Sequence, residues 1–235
     1  MDCLINLALG CGFERVSVNH NGVLVFNCVP GAGKSTLIRK ALHKDSRFVA
    51  FTFGKADPVG QRGRSILPAA LFDSEATCGK LVLVDEYTEG DWRALGACAI
   101  FGDPQQASVN RLWPEPNFVC LLSKRFGAQT AALLRNLGHE VYSEKEDIVE
   151  WSGVFQGEPR GLVLAYEPEV IELIKDHDLD FLHPNCCRGI TVEHVTFITS
   201  LDHFDVNRPD LQYLCLTRHS KSLLILSPNA TLGTA

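Results

Sequence analysis

The stretch VLVFNCVPGAGKSTLIRKAL, residues 23–42, constrains the fold more than any other part of the chain. A run of strand-type residues passes into Gly31-Ala32-Gly33-Lys34-Ser35-Thr36 and then into helix formers, the layout of a loop that cradles phosphate at the N-terminus of a helix. In such a loop the backbone N–H groups and the positive end of the helix dipole face an anion. Lys34 adds a mobile cation for the outer phosphates, and Ser35 a hydroxyl for magnesium. Pro30, Gly31, Ala32, Gly33, Lys34, Ser35 and Thr36 are therefore the candidate nucleotide-binding residues, and ATP (or another NTP) with Mg is the expected cofactor pair. One position departs from the usual pattern, which opens on glycine where this chain has Cys28. That change removes conformational freedom at the strand exit but no hydrogen-bond donor, and Gly31 and Gly33 keep the tightest positions.

Two further signals follow in the order such a loop needs. KLVLVDEYTE (80–89) ends four apolar residues on Asp85-Glu86, two carboxylates at the C-terminal edge of a buried strand, where open α/β sheets bind ligands. Beside a nucleotide, Asp85 can hold the magnesium and Glu86 can take the proton of an attacking water. AIFGDPQQ (99–106) ends another apolar run on Gly102-Asp103-Pro104. Gln106 can then donate an amide hydrogen bond toward a γ-phosphate, a contact present with the triphosphate and lost with the diphosphate.

The periodicity predicts an α/β layout with a parallel, doubly wound sheet. Expected strands in the first half are Val23–Cys28, Phe48–Phe53, Leu81–Asp85 and Ala97–Phe101, with a helix over STLIRKALHK. The Pro-bearing RLWPEPNF (111–118) reads as a linker, which divides the chain into domains 1–116 and 117–235. Beyond it come strands Phe118–Leu122, Gly161–Ala165, His194–Thr199 and Ser222–Leu226, and helices Gln129–Leu137, Pro168–Asp176 and Asp210–Leu216. The N-terminal MDCLINLALGCGF carries Asp2 and no basic segment, so it reads as a helix packing Leu4, Leu7, Ala8 and Cys11 against the body rather than as a signal peptide.

Composition excludes several classes. With 46% hydrophobic and 21% charged residues in 235, the chain has the make-up of a folded globular protein. Nine cysteines without a CxxC pair support neither a disulfide framework nor a zinc site. No apolar run approaches the roughly 20 residues that cross a bilayer, so no direct membrane insertion is expected. The net charge of −6 falls wholly on residues 119–235, the first 118 being balanced. Any nucleic-acid contact must then be a local track, and Lys55, Arg62 and Arg64 in GKADPVGQRGRS form the densest candidate.

The series CVPGAGKST, VLVDEY, FGDPQQ, LLSKRFG, CRGITVEHVTFI and YLCLTRHSK resembles the superfamily 1 RNA helicases of positive-strand RNA viruses. The short core and the start MDCLINLALGCGFERV are similar to the triple gene block protein 1 family, the movement proteins of potexviruses and carlaviruses. The likeness extends over about residues 1 to 228. It implies two small RecA-like halves, the minimal helicase core, with a nucleotide between them and RNA across the top. It implies that Arg125 in SKRFG and Arg218 in LTRHSK act as arginine fingers at the γ-phosphate, completing a catalytic set with Lys34, Glu86 and Gln106. Gly189 and Thr191 match a motif that touches the nucleic-acid backbone, although Arg188 stands where glutamine is common. The interval from Lys34 to Asp85 is too short for a substantial inserted subdomain.

The resemblance further implies an Mg-dependent NTPase that binds single-stranded RNA and moves or remodels viral RNA or ribonucleoprotein for cell-to-cell transport, and that suppresses RNA silencing. Its implied partners are the viral coat protein, the other triple gene block proteins, host silencing factors and further copies of itself, in the host cytoplasm, plasmodesmata and inclusions. The alternative is a non-catalytic protein whose nucleotide site only sets a conformation for binding RNA and proteins. A small-molecule kinase is a third reading, weakened by GDPQQ. The joint presence of Glu86, Gln106, Arg125 and Arg218 favours catalysis, since binding alone needs none of them.

Overall fold

Leu24, Val25 and Phe26 are contiguous apolar residues, all buried, as expected of a strand covered on both faces. They open a central strand of a seven-stranded sheet in the computed structural model, which describes residues 1–18, 22–58, 64–107 and 112–230. The chain forms two compact units, Met1–Leu121 and Leu122–Ala235.

In the first unit, helix α1 (Asp2–Gly10) and a short strand β1 (Glu14–Arg15) lead to β2 (Leu24–Cys28). Helix α2 (Lys34–Lys44) follows, then β3 (Phe48–Thr52), β4 (Ile66–Pro68), β5 (Leu81–Asp85), β6 (Ala99–Gly102) and β7 (Phe118–Cys120). The strand order is β1-β7-β2-β6-β5-β3-β4, and every pairing is parallel except β1 with β7. The ends of β2, β5 and β6 therefore reach one common edge.

Side chains alternate across the pleat and build a different core on each face. On one face Phe26 stacks between its register partners Phe101 and Phe118, with centroids 4.4 and 4.7 Å away, and Phe13 meets it edge-on at 5.9 Å. On the other face Val25, Phe51, Val82, Val84 and Ile100 pack with Tyr87, Trp92 and Leu95. Those last three come from turns and loops, so one face is closed without a long helix. Helix α2 buries Lys34, Leu37, Ile38, Ala41 and Leu42, a stripe at helical spacing, and Leu4 and Ala8 of α1 are buried as the N-terminal pattern predicts.

The expected boundary at 116/117 moves to 121/122. Phe118 is predicted to open the second half, but β7 lies in register beside β2 and belongs to the first sheet. Its Phe118 is one leg of the aromatic stack that holds β2 in place.

The second unit contains α3 (Ala128–Asn136), β8 (Ile148–Gly153), β9 (Leu162–Leu164), α4 (Pro168–Asp176), β10 (Val192–Ile198), α5 (Pro209–Leu216) and β11 (His219–Ser227). Its four-stranded sheet is wholly parallel, in the order β8-β11-β10-β9. Val163, Ala165, Val170, Ile174, Ile198, Leu224 and Leu226 form a core of its own. Among the described residues, no helix is long and apolar enough to cross a membrane.

Candidate active site

The phosphate-loop geometry is built by two glycines in the left-handed region, Gly31 at φ 80° and Gly33 at φ 99°, the second capping α2. Cys28 needs no such freedom. It closes β2 with its backbone paired to Cys120 of β7, and its thiol is buried beside the carbonyls of Phe26 and Gly102. Burial pushes that thiol well up against the pull of Lys34, so it is an uncharged filler rather than a nucleophile. The missing leading glycine is thus a strand residue here, and the turn begins beyond it.

The ends of β2 and β5 bring four predicted residues together. Ser35 donates its hydroxyl hydrogen bond to Asp85 Oδ2 at 3.1 Å, and Lys34 Nζ lies 3.6 Å from Glu86 Oε1. Asp85 is buried; burial and the neighbouring Glu86 raise its pKa to about 6, opposed by Lys34, Ser35 and the Glu86 N–H. Burial disfavours the Lys34 ammonium, but the carboxylates of Glu86, Asp85 and Asp103 outweigh it and hold Lys34 well above the ordinary lysine range. Lys34 therefore stays charged. Thr36 is exposed on the first turn of α2, while Pro30 and Ala32 are buried in the loop.

Glu86 has φ 53°, a left-handed backbone on a residue with a side chain, which costs on the order of 1–3 kcal/mol and persists where neighbours enforce it. Its N–H donates to Asp85 Oδ1 at 3.0 Å, and the next residue is locked: Tyr87 is fully buried and its hydroxyl donates to Asn27 Oδ1 at 2.9 Å. Gly102 lets the Tyr87 ring approach, since a Cβ there would sit 2.7 Å from it. Asn27, Tyr87 and Gly102 thus set the direction of Glu86. The sequence signals single out Gly102 only as a strand end and pass over the other two.

Gln106 is buried at the end of β6, on the same edge, but its amide nitrogen is engaged. It donates to Asp103 Oδ2 at 2.8 Å, while Asp103 Oδ1 accepts from the Gln105 N–H at 3.1 Å. Asp103, raised chiefly by its burial, is the residue that orients Gln106. An Asp-Pro turn with a backbone-capping carboxylate is the signal that could have found it.

Arg125 and Arg218 both lie in the second unit and meet at Thr217. Arg125 Nη1 donates to the Thr217 carbonyl at 3.2 Å, and Arg218 Nη2 to the Thr217 hydroxyl at 3.0 Å. Arg218 is buried and Arg125 half-buried. Gly189 and Thr191 are exposed in the loop that enters β10, and the Val192 N–H donates to the Arg218 carbonyl at 3.1 Å. The arginines and this loop thus share the N-terminal edge of their sheet, whereas the first unit gathers its residues at the C-terminal edge.

The expected cationic track is not brought together. Lys55 is exposed just beyond the C-terminal end of β3, but Arg64 donates to the Asp45 carbonyl at 3.3 Å, next to the start of that strand. Arg64 also shares with Ser46 and Lys80 a hollow of about 330 Å³ at that opposite edge. The reason is topological: β4 runs parallel to β3, so the start of β4 lies at the opposite sheet edge from the end of β3. Arg62 lies outside the described residues.

A mostly parallel sheet with a phosphate-loop turn after β2 and acidic residues at the end of β5 is the layout of a phosphate-loop α/β protein. The family model for the viral superfamily 1 RNA helicase core domain matches residues 24–227. The "Movement and silencing protein TGBp1" of Poplar mosaic virus is 45% identical over 98% of both chains, that of Lily symptomless virus 41% over 98% of both, and that of Potato virus X 32% over 95% of this chain and 97% of its own. The chain belongs to the viral superfamily 1 RNA helicases, in the TGBp1 family of movement and silencing proteins. Among solved structures, the PRRSV helicase matches with a TM-score of 0.62 at 15% identity, over 97% of this chain. An arterivirus nonstructural protein 10 helicase in complex with DNA matches at 0.62 and 17%, over 96%. This chain spans only 55% and 63% of those two proteins, so the likeness is one of fold.

Proposed function

We propose that the chain is an RNA-binding, magnesium-dependent NTPase, acting on ATP or another NTP, that moves or remodels viral RNA or ribonucleoprotein for cell-to-cell transport in the host cytoplasm. In this reading its two units are RecA-like halves, and suppression of RNA silencing is a second output of the same protein, in keeping with the names of its relatives. Coat protein, the other triple gene block proteins, host silencing factors and further copies of the chain are its partners.

The observation that carries the reading is the cluster of Lys34, Ser35, Asp85 and Glu86 at one sheet edge. A pure binding site needs the lysine but not a strained, braced carboxylate one residue past Asp85. The Ser35 hydroxyl and Asp85 carboxylate are hard oxygen donors of the kind magnesium takes, leaving other positions for water and phosphate, so the residues present fit the ion. Bound there, magnesium would supply charge neutralisation to the phosphates. Lys34, released from Glu86, holds the outer phosphates; Glu86 accepts the proton of the attacking water; Gln106, held by Asp103, orients toward the terminal phosphate; Arg125 and Arg218 stabilise transition-state charge.

The test is NTP hydrolysis by the purified chain with and without single-stranded RNA, in magnesium. Turnover stimulated by RNA is expected. Nucleotide binding without hydrolysis of any NTP, in either condition, would overturn the enzymatic reading in favour of a nucleotide-regulated binding protein.

A further inference from the structure

We infer that Asp147 is the positioning residue for the two arginines: one buried carboxylate ties together the chain segments that carry Arg125 and Arg218. The inference rests on the reading of those arginines as transition-state groups and adds the residue that aligns them.

Asp147 precedes β8 and its side chain is fully buried. Its Oδ2 accepts from the Gly127 N–H at 2.8 Å and its Oδ1 from the Gln129 N–H at 2.9 Å, which fixes the turn two residues beyond Arg125 and the start of α3. The same Oδ2 lies 3.1 Å from Nε2 of His219, the residue that follows Arg218. His219 is fully buried, and the Thr130 hydroxyl stands 3.0 Å from the same Nε2. An ionised carboxylate only accepts, so Nε2 carries the proton and the tautomer is set. His219 Nδ1 is buried and has no hydrogen-bond partner among the described residues.

The approach of the two segments is close enough to dictate sequence. A Cβ on Gly127 would lie 2.5 Å from the Asp147 nitrogen and 2.6 Å from its Oδ1, so only glycine fits. The same segment is held by its neighbours: Lys145 Nζ donates to the Arg125 carbonyl and Ser143 Oγ to the Phe126 carbonyl, both at 2.8 Å. Segments 125–130, 143–147 and 217–219 thus form one hydrogen-bonded body with Asp147 at its centre. Loosening Asp147 frees the two backbones that aim the guanidinium groups, while the phosphate loop is untouched. Small displacements of groups serving a transition state are costly: about an ångström can cost 10²-fold.

The experiment is a double-mutant cycle on RNA-stimulated NTP hydrolysis, run well below each variant's melting temperature. Asp147→Asn keeps shape and one acceptor but presents an amide to the His219 N–H. It should lower kcat by about tenfold with KM changed by less than about twofold, because nucleotide is held elsewhere. In an Arg218→Ala background the same change should cost less than about twofold, since two groups acting on one transition state fail as a unit. Equal losses in both backgrounds would make Asp147 structural only and overturn the proposal. Reduced turnover in Arg125→Ala and Arg218→Ala with full turnover in Asp147→Asn would overturn it while sparing the arginine reading. Full turnover in both arginine variants would overturn that reading and the proposal with it. If Asp147→Asn does not fold, His219 carries the test. His219→Gln, whose amide N–H can replace Nε2–H, should keep most of the turnover, and His219→Leu should reproduce the kcat loss; equal activity of the two would overturn the proposal.

Discussion

Lys34 and Glu86 face each other at 3.6 Å, a cation and a carboxylate that a nucleotide must separate. Two substitutions there should fail in different ways. Lys34→Ala removes the cation that neutralises the outer phosphates, so hydrolysis should fall at least about 10²-fold, or about 2.7 kcal/mol of transition-state stabilisation. Glu86→Gln keeps shape but accepts no proton, so nucleotide binding measured by fluorescence titration should persist while turnover stalls. Gly54 supplies a subtler check. A Cβ there would lie 3.0 Å from Glu86 Cγ, tight enough to displace the carboxylate by a few tenths of an ångström. Gly54→Ala should therefore lower kcat by roughly three- to tenfold, less than the loss a full ångström produces, with nucleotide affinity unchanged. Lost affinity would show instead that the residue shapes the loop.

At the scale of elements, Cys28 shows how far a motif can be read without its strand. Its extended backbone lies in β2, paired with Cys120, so Cys28→Gly should not improve nucleotide binding. It should instead cost about 1–2 kcal/mol, from strand entropy and the lost thiol burial, seen as a lower melting temperature with nucleotide affinity within about twofold. Strands β2, β5 and β6 were legible because buried parallel strands are unbroken apolar runs and each here ends on a marked residue. Strands β4 and β8 were not. Ile66–Pro68 is too short to show a period, and β8 is an edge strand whose Ile148 and Trp151 are exposed, so no alternation marks its inner face. The arginines were legible only by resemblance. Asp147 was not legible at all, because its partners lie 20 residues away at Gly127 and 72 away at His219, and only the fold brings them to one point. Lys55 and Arg64 lie apart for a related reason: they are close in sequence, but β4 runs parallel to β3, so the start of β4 lies at the opposite sheet edge from the end of β3.

At the scale of the molecule, two units with separate cores need not respond alike to one change of condition, and Asp147 gives the second unit an acid response of its own. Burial opposes its ionisation, but His219, Thr130 and the N–H groups of Gly127 and Gln129 outweigh that and lower its pKa to about 2, from an ordinary value of 3.8. The folded pKa is depressed, so the unfolded chain binds more protons between the two values. The stabilisation is therefore fully present above about pH 4 to 5 and is lost as pH falls toward 2. A shift of nearly two units corresponds to on the order of 2 kcal/mol for this fully buried group. Nucleotide, by contrast, should stabilise the first unit by mass action on its folded form alone. Hydrogen exchange resolved by peptide should then show α3 and β11 losing protection between pH 4 and pH 2.5, and Asp147→Asn should remove most of that pH dependence while already exchanging faster at pH 7. Addition of nucleotide at pH 7 should slow exchange in β2 and α2. Unchanged pH dependence in Asp147→Asn would mean that other carboxylates govern the acid response and that the Asp147–His219 tie is not what holds the arginine-bearing edge together.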